Sequence, residues 1–119
     1  MEAYKNVIIG FGKGGKTLAK LLAKHNEEVL IIEESDQMYG GTCINVGCIP
    51  SKFLILQGEK GEPFEQAVLK KDALIGKLRD KNYHMLQDDE SATVWTGKAS
   101  FLNDHELLVK MMDGSERTI

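Results

Sequence analysis

The chain has 119 residues, of which 42% are hydrophobic and 28% are charged, and its formal net charge at pH 7 is −3. This composition is that of one ordinary globular domain, and no apolar run approaches the roughly 20 residues that a membrane-spanning helix requires. The slightly acidic charge offers no basic surface for nucleic acid or for an anionic membrane, so we expect neither as a partner.

The first third of the chain has the pattern of a βαβ unit. The β-branched run Asn6 to Ile9 predicts a fully buried parallel strand, and the leucine spacing from Lys16 to His25 predicts a helix. A second apolar run at residues 29–32 predicts another buried strand, with Glu33 directly after it. The sequence therefore predicts two parallel strands joined by a helix.

A glycine-rich turn at residues 10–15 separates the first strand from the helix and matches the spacing G-x-G-x-x-G. Such a match can be a simple turn, but here a strand precedes it, a helix follows, and a carboxylate lies about 18 residues further on, as a dinucleotide site requires. Gly10 would allow the tight turn, Gly12 would let backbone amides approach a pyrophosphate, and Gly15 would let the helix pack closely on the strand. Glu33 would bind the ribose hydroxyls, and the helix N-terminus would attract the phosphates.

Both cysteines lie in one stretch, residues 40–52, which reads Gly-Gly-Thr-Cys-Ile-Asn-Val-Gly-Cys-Ile-Pro-Ser-Lys. On a regular helix the sulfurs of Cys43 and Cys48 would diverge, so a disulfide between them requires a loop or a locally unwound backbone. Gly47 and Pro50 favour that distortion, because glycine permits unusual dihedrals and proline lacks an N–H donor. The stretch is typical of a redox-active dithiol held at a bend.

Three other interpretations of the cysteines are open: buried free thiols, a structural disulfide, or half of a zinc site. Zinc favours a shorter Cys–Cys spacing and two further ligands, whereas the 3 histidines are scattered along the chain. A structural disulfide that closes so short a loop would add little stability. Because no signal-peptide pattern opens the sequence, we expect a reducing, cytoplasmic location, where a disulfide is more often redox-active.

The remainder of the chain predicts helices followed by short strands. Residues 53–56 predict a helical turn or two beside the cysteines, and Phe64 to about Leu86 predicts a long helix that covers one face of the sheet. The apolar face of this long helix is predicted to contain Ala67, Leu74, Leu78 and Met85. Two-residue alternation then predicts strands at 93–96, 99–101 and 107–111, turns at 103–105 and 113–114, and a further strand that begins at 118–119.

Taken together, these motifs resemble the class I pyridine nucleotide-disulfide oxidoreductases, a family that includes dihydrolipoamide dehydrogenase, glutathione reductase and mercuric reductase. The resemblance rests on the glycine-rich βαβ start, Glu33, and Gly-Gly-Thr-Cys-x4-Cys-Ile-Pro-Ser-Lys in one register. The segments Ile-Gly-Phe-Gly-Lys-x-Gly-Lys-Thr-Leu-Ala and Met-Tyr-Gly-Gly-Thr-Cys-Ile-Asn look like the reactive-chlorine-resistance branch, which reduces copper(II).

The fold that this resemblance implies is α/β: a Rossmann-like FAD-binding βαβ unit with a parallel sheet, a long covering helix and a small antiparallel β-hairpin. Residues 1–119 would form the truncated N-terminal part of a FAD-binding domain. The NAD(P)H domain and the dimerisation domain of the family have no counterpart in these residues. We therefore expect a truncated chain, a proteolytic fragment or a natural remnant.

The resemblance also assigns residues to the cofactor and to the chemistry. The dinucleotide would be FAD, with Glu33 on the adenosine ribose, Lys52 beside the isoalloxazine and Ala99 near the adenine. Cys48 would be the thiolate stacked against the flavin, and Cys43 the interchange thiol that faces the substrate. The implied cofactor-binding set is Gly10, Gly12, Lys13, Gly14, Gly15, Glu33, Gly41, Thr42, Cys43, Cys48, Lys52 and Ala99, and no metal ligand is assigned.

The function that the resemblance implies is that of a flavin-dependent NAD(P)H oxidoreductase in cell redox homeostasis. Electrons would pass from the flavin to a Cys43–Cys48 disulfide and then to a small-molecule or metal-ion acceptor. NAD(P)H would serve only a full-length parent, so we expect the 119 residues alone to be inactive. The alternative is a non-catalytic Rossmann-like module that binds FAD weakly or not at all and self-associates, for example as a homodimer, since an unfinished sheet leaves an open strand edge.

Overall fold

Residues 3–119, which the computed structural model describes, form one five-stranded sheet with helices packed against it. The strands are β1 (Asn6–Ile9), β2 (Val29–Glu33), β3 (Ala92–Asn103), β4 (Glu106–Met111) and β5 (Glu116–Thr118). The helices are α1 (Lys13–Lys24), α2 (Thr42–Asn45), α3 (Cys48–Glu59) and α4 (Phe64–Gln87). The strand order in the sheet is the order in the sequence. The predicted α/β class is confirmed.

The βαβ unit is confirmed at the start of the chain. Strands β1, β2 and β3 are parallel neighbours, with Asn6 opposite Val29 and Val29 opposite Ala92. Helix α1 buries Ala19 and Ala23 against this sheet. It begins at Lys13 rather than at the predicted Lys16, because the second half of the glycine turn already has helical backbone.

The burial of β1 differs from the prediction. Residues 6–8 of β1 are only half-buried and Ile9 is 51% exposed, whereas Val29 to Ile32 of β2 are at most 1% exposed. β1 is the edge strand of the described sheet, so it has a neighbour on one side only. An apolar strand pattern predicts a strand with neighbours on both sides, and the described residues supply a neighbour on one side only.

β3 is one continuous strand, not the two strands predicted at 93–96 and 99–101. Its first half pairs in parallel with β2, and its second half, from Gly97, pairs antiparallel with β4. Gly97 does not break the strand; a Cβ there would lie 2.7 Å from the carbonyl oxygen of Lys110, so glycine lets the two strands meet closely. The predicted hairpin is confirmed, and β5 extends it into a meander by pairing with β4.

Alternate residues of β2 face two separate cores. Val29 and Ile31 pack with Phe11, α1 and the end of α4, whereas Leu30 and Ile32 pack on the opposite face of the sheet. The second core is closed by the meander, and its members besides β2 include Trp95, Leu107, Val109 and Ile119. The helices therefore cover one face of β2, and side chains of the antiparallel strands pack on the other.

The two later helices depart from the prediction in extent and in face. α3 runs for 12 residues from Cys48, whereas only residues 53–56 were predicted to be helical. α4 buries Ala67, Ile75 and Leu86, while the predicted Leu74, Leu78 and Met85 are half-buried. The apolar face is shifted because α4 packs on several elements along its length, namely α3, α2, α1 and β3.

We expect Gly15→Ala to lower the free energy of unfolding by about 2–3 kcal/mol, the upper part of the range for overpacking. A Cβ at Gly15 would lie 2.4 Å from the carbonyl oxygen of Gly10 and 3.1 Å from Cγ2 of Ile8, so α1 would have to move off the sheet. The measurement is urea unfolding at neutral pH. The matched control is Gly76→Ala within α4, where an added Cβ meets nothing within 4 Å.

Gly76→Ala should raise stability by about 0.5–1 kcal/mol, because alanine restricts the unfolded chain and suits a helix interior. An equal effect of the two substitutions would contradict the packing that the structure assigns to Gly15.

Candidate functional site

The glycine-rich turn lies at the carboxyl end of β1 and leads into α1. Gly10 has a φ of +104° and donates its N–H to the carbonyl of Ile32 at 2.7 Å, which makes the tight turn that was predicted. Phe11 is fully buried and fixes the turn to the core. A Cβ at Gly12 or Gly14 would meet nothing within 4 Å, so the outer side of the turn is open.

The start of α1 has the features of an anion site. Gly12 is its N-cap, no side chain caps its first amides, and its first turn contains no acidic residue. The predicted Lys13 and Gly14 lie exposed in this first turn. Free backbone amides and the positive end of the helix dipole together attract phosphate oxygens.

The Glu33 carboxylate organises the turn as well as facing the cavity beside it. Its Oε1 accepts the backbone N–H of Phe11 at 3.1 Å, and its Oε2 accepts the backbone N–H of Ser35 at 2.9 Å. The carboxylate thus ties the end of β2 to the glycine turn. The sequence predicted a ribose ligand at this position, and it gave no sign of these two backbone contacts.

A cavity of about 320 Å³ opens where β1 and β2 end and β3 passes beside them. It brings together three of the predicted residues, Gly10, Glu33 and Ala99, from distant parts of the sequence. Its lining is Ile9, Gly10, Ile32, Glu33, Glu34, Gly97, Lys98 and Ala99. The carboxyl end of a parallel sheet is where nucleotides bind in open α/β folds.

The cysteine stretch consists of two helical segments with a break between them. Cys43 lies in α2 and Cys48 is the first residue of α3. At the break, the N–H groups of Val46 and Gly47 both donate to the carbonyl of Thr42, at 2.9 and 2.8 Å. The predicted local unwinding is confirmed. Both cysteines are free and exposed, so the interpretation as buried thiols is wrong.

The double glycine at residues 40–41, just before the cysteines, packs against the glycine-rich turn. Gly40 and Gly41 have φ of +93° and +94°, and Gly40 donates its N–H to the carbonyl of Phe11 at 2.9 Å. A Cβ at Gly41 would lie 2.8 Å from Cα of Gly12. Only glycine allows this approach, so the two motifs predicted separately form one site.

The remaining predicted residues flank this contact. Thr42 is exposed at the start of α2, directly after Gly41. Lys52 is exposed on α3, four residues after Cys48, and so on the same side of the helix. The structure brings the cysteine stretch to the glycine turn, while Ala99 lies with Gly10 at the cavity.

Hydrogen bonds among Asn45, Arg79 and Gln37, which the sequence did not predict, support the cysteine stretch. Asn45, which is buried, donates from Nδ2 to the carbonyls of Tyr39 and Gly41 at 3.0 and 2.8 Å. Its Oδ1 accepts from Nε of Arg79 at 2.8 Å, and Nη1 of Arg79 donates to Oε1 of Gln37 at 2.9 Å. No local pattern could have revealed this group, because Arg79 lies 34 residues after Asn45.

Tyr39 is a second residue that the sequence did not predict. Its ring lies against Phe11 and Tyr83, with centroid distances of 5.6 and 4.7 Å, and its hydroxyl hydrogen-bonds to that of Thr96. Burial raises the pKa of the Tyr39 phenol above its ordinary value. The ring therefore anchors the segment before the double glycine to both β3 and α4.

Lys16 links α1 to α4 close to the cysteine stretch. Its Nζ donates to Oδ1 of Asn82 at 2.8 Å, and Asn82 in turn lies against Gly40, where an added Cβ would be 3.2 Å away. Burial and the neighbouring Lys13 lower the pKa of the Lys16 ammonium, while Cys43 acts in the opposite direction. The site thus includes a cation that was not among the predicted residues.

Comparison with known proteins identifies the family of the chain. The family model described as pyridine nucleotide-disulphide oxidoreductase matches residues 4–119. The chain belongs to this family. The predicted resemblance is confirmed.

Among family relatives, the probable pyridine nucleotide-disulfide oxidoreductase RclA of Escherichia coli (strain K12) is 47% identical over 97% of this chain. Glutathione reductase of Schizosaccharomyces pombe is 33% identical over 96% of the chain, and mercuric reductase of Shewanella putrefaciens is 32% identical over 94%. The chain spans 26%, 28% and 23% of the lengths of these three relatives, so it corresponds to about a quarter of such a family member.

A solved structure of the same family gives the same fold. The Cu(II) complex of the HOCl-induced flavoprotein disulfide reductase RclA from Escherichia coli superposes with a TM-score of 0.94 at 45% identity. The match covers 100% of this chain and 27% of that one. The Rossmann-like fold predicted for the family is therefore confirmed.

Two further observations apply to residues 3–119 only. No helix in this range is long and apolar enough to cross a membrane. Within the same range, no three side chains of His, Cys, Asp or Glu gather into a group that could hold a metal ion. The zinc interpretation of the cysteines thus has no ligand set in the described part of the chain.

We expect Glu33→Gln to lower the free energy of unfolding by about 1–3 kcal/mol in the absence of any ligand, as for a lost charged hydrogen bond. The oxygen of the glutamine amide could still accept one of the two backbone N–H groups, but its NH2 group would face the other N–H, and two donors cannot bond. The measurement is urea unfolding at pH 7. Glu34→Gln is the matched control, because Glu34 is exposed and should change stability by less than about 0.5 kcal/mol. Equal stability of the two variants would argue against the two contacts of Glu33.

Proposed function

We propose that this chain is the FAD-binding part of a flavin-dependent NAD(P)H oxidoreductase whose Cys43–Cys48 pair receives electrons from the flavin. The close contact between Gly41 and Gly12, with 2.8 Å between a Cβ at Gly41 and Cα of Gly12, carries the proposal. It sets a Cys-x4-Cys pair against the start of a dinucleotide-binding helix. A dithiol and a phosphate site so close together favour a flavin disulfide reductase over a structural disulfide.

The residues of the site fit FAD. The open space over Gly12 and Gly14 and the uncapped start of α1 would hold the pyrophosphate, with Lys13 beside it. Glu33 would bind the ribose, and the cavity up to Ala99 would take the adenine end. Gly15 would contribute by keeping α1 close to the sheet. Gly41, Thr42, Cys43, Cys48 and Lys52 would lie toward the flavin.

When bound, FAD would supply two-electron chemistry between a nicotinamide and the cysteine pair. The chain's own residues provide the geometry of that pair. Cys48 begins α3, a helix of 12 residues, and the positive end of the helix dipole favours negative charge there. Cys43 is exposed on the other side of the break, where a thiol can exchange with an external acceptor. Two electrons and one proton would break the S–S bond of a Cys43–Cys48 disulfide and yield one thiol and one thiolate.

The acceptor, the location and the assembly are further parts of the proposal. Relatives named as glutathione and mercuric reductases, and a relative solved as a Cu(II) complex, support a small-molecule or metal-ion acceptor. We propose that the whole protein uses NAD(P)H, works in the cytoplasm in cell redox homeostasis and forms a homodimer.

One observation favours the alternative of a non-catalytic, self-associating module. β1 is an edge strand of the described sheet although its sequence is that of a buried strand, and Ile9 is 51% exposed. An open apolar edge can pair with another chain. FAD binding separates the two candidates, because a module that does not bind the cofactor would be colourless after FAD is added and the unbound FAD is removed.

We expect the two cysteines to differ in their effect on the visible spectrum of the FAD-loaded protein. After two-electron reduction, a thiolate at Cys48 beside oxidised flavin should give a long-wavelength charge-transfer band. Cys48→Ser should abolish the band, whereas Cys43→Ser, its matched control, should retain it and show it without prior reduction. Bands of equal strength in both variants would contradict the assigned roles, and a protein that takes up no FAD would contradict the proposal as a whole.

We also expect the 119 residues alone to oxidise NADH or NADPH no faster than free FAD does. The chain spans about a quarter of its relatives, and nicotinamide oxidation is proposed for the whole protein. The measurement is the loss of absorbance of the reduced nicotinamide, with free FAD at the same concentration as control. Sustained turnover well above that control would show that this part of the proposal is wrong.

A further inference from the structure

We propose that Arg79 of α4 is a positioning residue for the Cys43–Cys48 couple and that it acts through the buried amide of Asn45. This inference rests on the redox role proposed for the two cysteines. Arg79 lies in the long helix, 36 positions beyond Cys43 in the numbering of the chain. In the sequence it looks like one of several basic residues on a covering helix.

The hydrogen bonds of Asn45 use both of its amide donors and its carbonyl. Asn45 is 9% exposed, and its Nδ2 donates to the carbonyls of Tyr39 and Gly41 at 3.0 and 2.8 Å. Its Oδ1 accepts from Nε of Arg79 at 2.8 Å. A buried amide that loses one of these partners is left with an unpaired polar atom, which disfavours the observed position of α2.

The guanidinium of Arg79 joins two segments on either side of the double glycine. Its Nε donates to Asn45, which follows the glycines in the sequence. Its Nη1 donates to Oε1 of Gln37, which precedes them, at 2.9 Å. Two donors in a fixed planar fork can hold two acceptors at once, which a lysine ammonium on a flexible stem does poorly. Arg79 therefore fixes both ends of the segment whose Gly41 lies against Gly12.

α4 supports both of the helices that carry the cysteines. Cys43 belongs to α2, which packs on α4 and is hydrogen-bonded to it through Asn45 and Arg79. Cys48 begins α3, which also packs on α4. The two segments contact each other at the break, where the N–H groups of Val46 and Gly47 both donate to the carbonyl of Thr42. Release of the Arg79 bond would let α2 move relative to α3 about this break. The effective concentration of one thiol at the other would then fall.

The test is the equilibrium between dithiol and disulfide in the full chain, measured without FAD. The chain is equilibrated without oxygen in mixtures of reduced and oxidised dithiothreitol, and free thiols are then alkylated and counted by mass spectrometry. As the Cys43–Cys48 bond forms, two electrons and two protons pass to oxidised dithiothreitol, whose S–S bond breaks. We expect Arg79→Met to lower the equilibrium constant for oxidation about tenfold, a rise of about 30 mV in reduction potential.

Two variants serve as controls. Lys81→Met removes the same charge from α4 at an exposed residue, and it should leave the constant within about twofold of the parent value. Arg79→Lys keeps the charge but not the fork, so its constant should lie between those of the parent and Arg79→Met. Circular dichroism and urea unfolding establish that each variant is folded. A folded Arg79→Met with the parent constant would overturn the proposal.

Asn45→Ala tests whether Arg79 acts through Asn45, and it keeps the proposal falsifiable if Arg79→Met does not fold. In the Asn45→Ala background, Arg79→Lys should have no further effect on the constant. Additive effects would overturn the assigned route. This outcome is separate from that of the FAD proposal. If the chain binds no FAD but its equilibrium constant changes in Arg79→Met, only the cofactor proposal is wrong. If it binds FAD but the constant does not change, only this inference is wrong.

Discussion

The approach of Gly41 to Gly12 is the contact on which the site depends. With 2.8 Å between a Cβ at Gly41 and Cα of its neighbour, no other residue fits without moving one backbone off the other. The glycine turn is itself fixed by buried Phe11 and by the Glu33 carboxylate. The cysteine stretch thus rests on a surface that the sheet has already made rigid. Because no side chain separates the two backbones, the thiols lie close to the start of α1.

The cysteine stretch is supported by polar as well as apolar contacts, whereas the sheet is held mainly by apolar ones. β2 contributes fully buried aliphatic side chains to both cores. α2 buries Ile44, and the amide of Asn45 adds hydrogen bonds to backbone carbonyls and to the guanidinium of Arg79. Hydrogen bonds fix direction more closely than apolar contacts do, because they weaken steeply with angle. A pair of sulfurs that must meet and separate benefits from such directional support.

Much of the fold and of the site could be predicted from the sequence, because its signals are local. The glycine spacing, the strand patterns of β2 and β3, and the break at Gly47 each depend on residues close together in the chain. The burial of β1 and the continuity of β3 could not be predicted, because they depend on which strands are neighbours. The Asn45–Arg79 bond joins residues 34 apart and has no pattern of its own. Arg79 has the same charge as the exposed lysines around it, and only the packing of α4 distinguishes it.

The division of β2 between two cores limits how the protein can vary in length. Val29 and Ile31 belong to one core, and Leu30 and Ile32 belong to the other. Insertion or deletion of one residue within β2 would exchange the two sets, since successive side chains point to opposite faces of a strand. Both cores would be repacked at once, and Glu33 would turn away from the glycine turn. Length changes in this region should therefore be tolerated only outside β2, for example in the exposed segment around Asn26 before it.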